Sequence, residues 1–207
     1  MRRLYTTLIL CFLVSALLGA KEITFSGGTT KMQMQEGFQT ISLGGGARIT
    51  SGSLQLSATQ IELSGKDYRY VQCTGNVELH DQQKGLSLKA KDLFYDRQEE
   101  LILVNGYFEL EDTSNALLAS AFYLSFALES GQVSLQVQVT LFKDTDSGVM
   151  ACRSDTLLFD RNRQNLDLKG DANVNWAGDL YEAQRITVDL VTEEIAMDGS
   201  IKGVING

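Results

Sequence analysis

Few residues in this 207-residue chain could do chemistry, and they are poorly grouped for it. The carboxylate pairs Glu99-Glu100, Glu193-Glu194 and Asp144 with Asp146 have the make-up of general acid–base pairs. Each stands at or beside a turn among polar neighbours, where a carboxylate is normally solvated. Serine and aspartate are plentiful, but a single histidine, His80, supplies no constellation for nucleophilic catalysis. His80 reads as an exposed residue near the end of a strand. Beyond the first twenty residues only Cys73 and Cys152 remain, too few for a Cys-based zinc site, and the single His80 cannot supply the missing ligands. Lys89 and Lys91 could meet phosphates, yet a solvated strand face is the better account of them. No catalytic residue, metal ligand or cofactor is therefore assigned, and the expectation is a protein that is not an enzyme.

The first twenty residues differ from the rest. Arg2 and Arg3 make a basic start, Leu4 to Leu18 is largely apolar, and Gly19-Ala20 precede the polar pair Lys21-Glu22. This is the layout of a secretory signal peptide with cleavage after Ala20. Leu18 stands where a small residue is preferred, and an uncleaved inner-membrane anchor is the alternative, the apolar stretch being at the short limit of ~17–25 residues for a span. Either reading takes the chain out of the cytoplasm, and the domain expected to fold is 21–207. Without Arg2 and Arg3 it carries 16 basic against 26 acidic residues, a net charge of about −10. Such an acid balance argues against nucleic acid and anionic membrane surfaces as partners.

What must position the remaining residues is sheet. The chain has no proline, which suits a nearly continuous strand ladder. Apolar and polar residues alternate in Ser53 to Ser57, Asn76 to His80 and Gln132 to Leu141, which places one apolar face on each strand. Phe122 to Phe126 reads as strand from its aromatic content, although Ala116 to Leu128 is the nearest rival for a helix. The segments Gly45-Gly46-Ala47, Gly75-Asn76-Val77, Gly106-Tyr107-Phe108, Val137-Gln138-Val139, Ala172-Asn173-Val174 and Gly199-Ser200-Ile201 form a repeat. Their third residues are separated by 30, 31, 31, 35 and 27 positions. Between them recurs a small or polar residue followed three later by an apolar one: Ala58…Ile61, Ala90…Leu93, Ala119…Phe122, Ser154…Leu157 and Ala183…Ile186. Stacked repeats join apolar faces that are too small to bury alone. The expected fold is all-β, an elongated, twisted roll of stacked strand repeats with open ends; a closed β-sandwich would satisfy the same alternation.

The order Gly75-Asn76-Val77-Glu78-Leu79, then Ala90-Lys91-Asp92-Leu93-Phe94-Tyr95-Asp96, then the strand Leu101 to Leu110 resembles the OstA-like repeat. That repeat occurs in the periplasmic lipopolysaccharide-transport protein LptA, in its membrane-anchored partner LptC and in the N-terminal domain of LptD. The likeness extends over Ser26 to Ile205. It departs in the middle, where Val137 takes the place of the leading glycine and Leu157-Leu158-Phe159-Asp160 lacks the tyrosine. The resemblance implies a β-jelly roll whose apolar interior receives the acyl chains of lipopolysaccharide or a related glycolipid. It also implies a periplasmic location, end-to-end association with further copies, and LptC-like inner-membrane and LptD-like outer-membrane partners.

On that reading the groove lining is Ile49, Leu54, Leu56, Ile61, Leu63, Val77, Leu79, Leu88, Leu93, Phe108, Leu110, Phe122, Val139, Leu141, Leu157 and Ile186. Ordinary core packing is the alternative for each of them. Open edges at the two ends would pair with other chains unless Ile23-Thr24-Phe25 or the C-terminal residues cover them. A membrane-anchored LptC-like component, or a structural array with a dry core, would use the same pattern. Cys73 and Cys152 are about two repeats apart, so they are expected to be separate thiols rather than a bridge.

Overall fold

The computed structural model describes residues 22–35 and 38–206. The signal-peptide or anchor segment 1–20 lies outside the described residues. Among those described, no helix is long and apolar enough to cross a membrane. The strands are β1 (Ile23–Ser26), β2 (Thr29–Gln35), β3 (Phe38–Ser51), β4 (Leu54–Ser64), β5 (Tyr70–Asp81), β6 (Leu86–Asp96) and β7 (Leu101–Asp112). They continue as β8 (Leu117–Ala127), β9 (Gln132–Thr145), β10 (Gly148–Asp160), β11 (Asn165–Trp176), β12 (Asp179–Asp189), β13 (Glu194–Asp198) and β14 (Lys202–Val204). From β3 to β12 each strand pairs with the next in an antiparallel meander. At one end β1 and β2 lie in line along β3, and at the other β13 and β14 lie in line along β12. Twelve strand positions at ~4.8 Å each make an array of about 55 Å, extended as its repeats require.

Every long strand is interrupted near its middle. The register shifts of successive pairs, from Gly44/Ala47 on β3 to Lys169/Ala172 on β11, form an unbroken line across the sheet. On the odd strands two buried residues there stand four apart, as in Cys73 and Val77, with Gly75 and Asn76 between them at positive φ. On the even strands they stand three apart, as in Ala58 and Ile61. Bulges of this kind bend a strand and turn its twist. Here they fold the whole sheet along one line, the spine, into two facing arms. Arm A holds Ile61, Cys73, Leu93, Val104, Leu124, Leu135, Leu157 and Leu168; arm B holds Ile49, Leu56, Val77, Leu88, Phe108, Leu141, Cys152 and Val174. All of these belong to one buried core. The two repeating signals of the sequence are thus the two sides of one crease.

The structure corrects the alignment in two places. The β11 crease is at Gly170 and Asp171, both at positive φ, so Ala172 rather than Val174 is the counterpart of Val77. The β8 crease lies between Ala121 and Leu124, both buried, so the small residue is Ala121 and not Ala119. With Ala172 in place, the last two repeat separations become 33 and 29, closer to the rest.

Opposite the spine, the hairpin turns of both arms form two lips. Aspartates end many of these strands and cap the turns: the Asp81, Asp96, Asp160 and Asp189 carboxylates each accept from the two backbone N–H groups two and three residues on. Short polar side chains are favoured in turns for this reason. Each lip is knitted lengthwise by backbone bonds between neighbouring turns, such as Leu128 N–H to Glu100 O (2.9 Å) in arm A and Thr113 N–H to Gly85 O (2.8 Å) in arm B.

The lips meet. On a flat sheet, the arm-B end of β7 and the arm-A end of β10 would lie at opposite borders, tens of Å apart. Instead Arg161, just past β10, donates from Nε to Asp112 Oδ2 at the end of β7 over 2.6 Å. Lys84 Nζ donates to Leu128 O (2.6 Å), Gln164 Nε2 to Asn115 Oδ1 (2.5 Å), and Ser147 Oγ to Glu193 Oε2 (3.3 Å). In all four contacts the arm-A turn lies three strands further along than its arm-B partner. Arg161 Nη2 reaches further in the same direction, to Lys84 O five strands back (3.1 Å); a stagger that always runs one way is the signature of a twisted roll, since coiling of each strand carries the lips past one another.

Candidate functional site

The interior between the arms is the candidate site. Alternation along each strand sends every second side chain inward until the crease resets the phase. Fifteen of the sixteen residues expected to line a groove point into it: Ile49, Leu54, Leu56, Ile61, Leu63, Val77, Leu79, Leu88, Leu93, Phe108, Leu110, Val139, Leu141, Leu157 and Ile186, all buried. Phe122 does not. It stands on the outer face, 43% exposed, edge-on to the Tyr107 ring with centroids 5.7 Å apart. In Leu117 to Ala127 apolar residues stand in both phases, interrupted only by Ser120, Tyr123 and Ser125, so alternation does not reveal where the phase changes. Leu124 and Phe126 take the inward places instead. Leu135, Leu166, Leu168, Val174 and Val188 also face inward and lie in alternating runs that disclose them, whereas Ile102, Val104 and Phe159 face inward from continuous apolar runs in which alternation gives no phase.

The interior is filled. None of the fifteen is more than 4% exposed, and Phe108 and Phe126 are the largest side chains in the fully buried set. Described depressions, such as one of about 320 Å³ between Tyr107, Leu118 and Phe142, lie on the outer faces. An acyl chain between the arms therefore has to displace packed side chains or part the arms.

The polar mouth sets the electrostatics at the border. Arg161 grips Asp112 with Nε at 2.6 Å and Nη2 at 3.0 Å, Nη2 also reaches Lys84 O, and the guanidinium lies 5.7 Å from the Phe126 ring centroid. The two side chains are only 12% and 2% exposed. Lys143 Nζ donates to Asn115 O, and burial pulls its pKa down. Along the arm-A lip, Arg69 grips Asp96 through Nη2 at 2.6 Å. Burial raises the Asp96 pKa, but the Arg69 bond and the Glu99 and Gln98 amides outweigh it, and the net shift is downward.

Among the described residues, no segment pairs along the outer edge at either end of the array. Ile23-Thr24-Phe25 adds to β3 and then presents its own free edge, and Phe25, Met32 and Met34 are exposed. β13 and β14 do the same on β12, with Ile201, Val204 and Ile205 exposed.

The other chemical candidates are solvated. Glu99, Glu193, Glu194, Asp144 and Asp146 are exposed at or next to turns, and His80 is exposed one residue before the end of β5. Lys89 and Lys91 are exposed on the outer face, Lys89 directly opposite Glu109. Cys73 and Cys152 are free and buried, and burial pushes each thiol up to about 12. Among the described residues, no group of three or more His, Cys, Asp or Glu could hold a metal ion.

No family model and no curated protein matches the chain. Among solved structures it is similar to LptH from Pseudomonas aeruginosa, described as the LptA homologous periplasmic component of the conserved lipopolysaccharide transport device. The identity is 14%, the match covers 90% of this chain and 96% of that one, and the TM-score is 0.29. At that score the strand order and the crease, rather than the superposition, define the fold of this chain: an elongated all-β roll whose sheet is not closed.

Proposed function

We propose that this protein is a periplasmic lipid carrier that holds the acyl chains of lipopolysaccharide or a related glycolipid between its two arms. The observation that carries the reading is a single apolar strip running the length of the roll and ending, among the described residues, at an unpaired sheet edge on both sides. A globular domain of this size would close such a strip; an array that leaves both ends open is suited to being continued by another copy.

The two edges are matched for that purpose. β1 followed by β2 runs from arm B to arm A, and β13 followed by β14 runs from arm A to arm B. The last edge of one copy therefore meets the first edge of the next as an antiparallel pair, arm against arm. The crease at Gly199-Ser200 then faces the one at Gly27-Gly28, and Glu194 and Asp198 lie along the edge that receives Lys31. LptC-like and LptD-like folds at the two membranes would end the same array by the same pairing.

A second reading, a structural array that binds no lipid, draws support from the complete burial of the interior side chains. Photo-crosslinking in the cell envelope separates the two. A probe at Phe108 or Leu141 is expected to capture a glycolipid, while probes on the outward neighbours Glu109 and Thr140 capture none. Silence at all four positions would favour the dry array.

A further inference from the structure

We propose that the mouth is a reversible clasp, and that lipid reaches the interior by the parting of the two lips at Arg161, Asp112, Lys84, Asn115 and Gln164, the creased spine acting as the hinge. This rests on the lipid-carrier reading and supplies its route of access.

Three observations point to the mouth. First, among the described residues every bond that crosses it involves a side chain, whereas backbone bonds run only along each lip. Opening at the spine would tear the strand ladders; opening at the mouth exchanges a few side-chain bonds for bonds to water. Groups that rehydrate on parting make such an exchange nearly balanced. Second, the lips are joined most densely at mid-length, where Arg161 bridges to Asp112 and to Lys84 O while Gln164 reaches Asn115. Asn115 Nδ2 donates to Asp112 Oδ2 (2.6 Å) and Ser114 Oγ to Lys84 O (3.0 Å), so the arm-B side of the clasp is one connected unit. Third, a buried ion pair adds little to stability compared with well-packed apolar residues, and it is best understood as serving a switch or a register. Arg161 and Asp112 are such a pair, placed at the border of an otherwise apolar interior and stacked on its Phe126. Lips sealed by leucines would hold the arms shut more firmly and would give no reversible opening.

The test uses the full chain and a naturally fluorescent polyene fatty acid as probe. Arg161→Gln removes the bidentate grip. It is expected to speed probe uptake roughly tenfold, the scale of one charge-assisted hydrogen bond. It should also speed amide exchange at 82–85, 113–116 and 161–164. A second variant, Asn115→Cys with Gln164→Cys, places two thiols facing each other across the mouth, where a short thiol crosslinker with a reducible centre can span the length of the lost side chains. Crosslinked, it should take up no probe, and reduction should restore uptake.

Uptake at the wild-type rate by both the crosslinked double variant and Arg161→Gln would overturn the mouth as the route. Unchanged amide exchange in Arg161→Gln would overturn the clasp itself. Faster exchange with no probe bound by any form would support the clasp and sink the lipid-carrier reading, so the two failures are told apart.

Discussion

The spine and the mouth are the two long borders of one folded sheet, and they are held by opposite means. At the spine the ladder continues through every strand pair, and the fold is made by backbone conformations that few residues tolerate. Gly75 at φ 77° and Gly170 at φ 76° take a left-handed turn that costs an ordinary residue about 1–2 kcal/mol. At the mouth the turns also hold left-handed residues, Gly85, Ala116 and Gln164 among them, but these only reverse the chain within one lip, and closure depends on charged and amide side chains reaching across. A border made by backbone geometry cannot be opened without unmaking the sheet. One made by side chains can be opened and closed again.

The largest expected effect is at the mouth. Asp112→Ala leaves Arg161 only 12% exposed and without its carboxylate, which should cost about 3–5 kcal/mol in denaturant unfolding. Adding Arg161→Leu should recover much of that loss, because the two sites share one interaction. A double variant as unstable as the sum of the singles would show that the pair does not act together.

The interior between the borders is probed by pH. Cys73 and Cys152 have thiol pKa values near 12 in the fold against 9.0 for the free group. Between those values the folded protein keeps protons that the unfolded chain loses. The stabilisation is therefore complete below about pH 9 and is lost as pH rises towards 12, on the order of 3 kcal/mol for each thiol by pH 11. Replacing both with alanine should flatten that part of the stability profile. Equal slopes with and without the thiols would mean that they ionise freely in the fold.

Substitutions at the spine should have smaller effects, and of both signs. Gly170→Ala combines positive φ with a Cβ that runs into the Asp155 side chain, and should cost about 2 kcal/mol. Val137 stands in the same structural place with φ 68°, a strained position for a β-branched residue, and its side chain is 55% exposed. Val137→Gly should raise the urea midpoint by the equivalent of about 1 kcal/mol, because relief of strain exceeds the added chain entropy. A lowered midpoint would mean that Val137 contributes something other than strain to the crease.

Much of this contrast can be read in the residues, within limits. The glycine-led segments and the small-x-x-apolar segments are local features, and the crease they produce is local too. The Asp at the end of Tyr95-Asp96 reads as a turn cap for the same reason. Phe122 was misplaced because Leu117 to Ala127 offers apolar residues in both phases, so a shift of two residues leaves the motif apparently intact. Cross-strand pairing, which requires Asn105 opposite Tyr123 and Phe108 opposite Ala121, settles the phase.

The sequence by itself determined that the chain is strand throughout, that its strands repeat at about thirty residues, and that one face of each is apolar. These follow from alternation, glycine placement and the absence of proline, all of which act over a few neighbouring residues. Only the tertiary structure decided that the sheet folds on its creases, that its lips meet with a stagger of three strands, and that Arg161 finds Asp112. Those residues are 49 positions apart, and their meeting depends on twist summed over many strands, a quantity that no short stretch of residues carries.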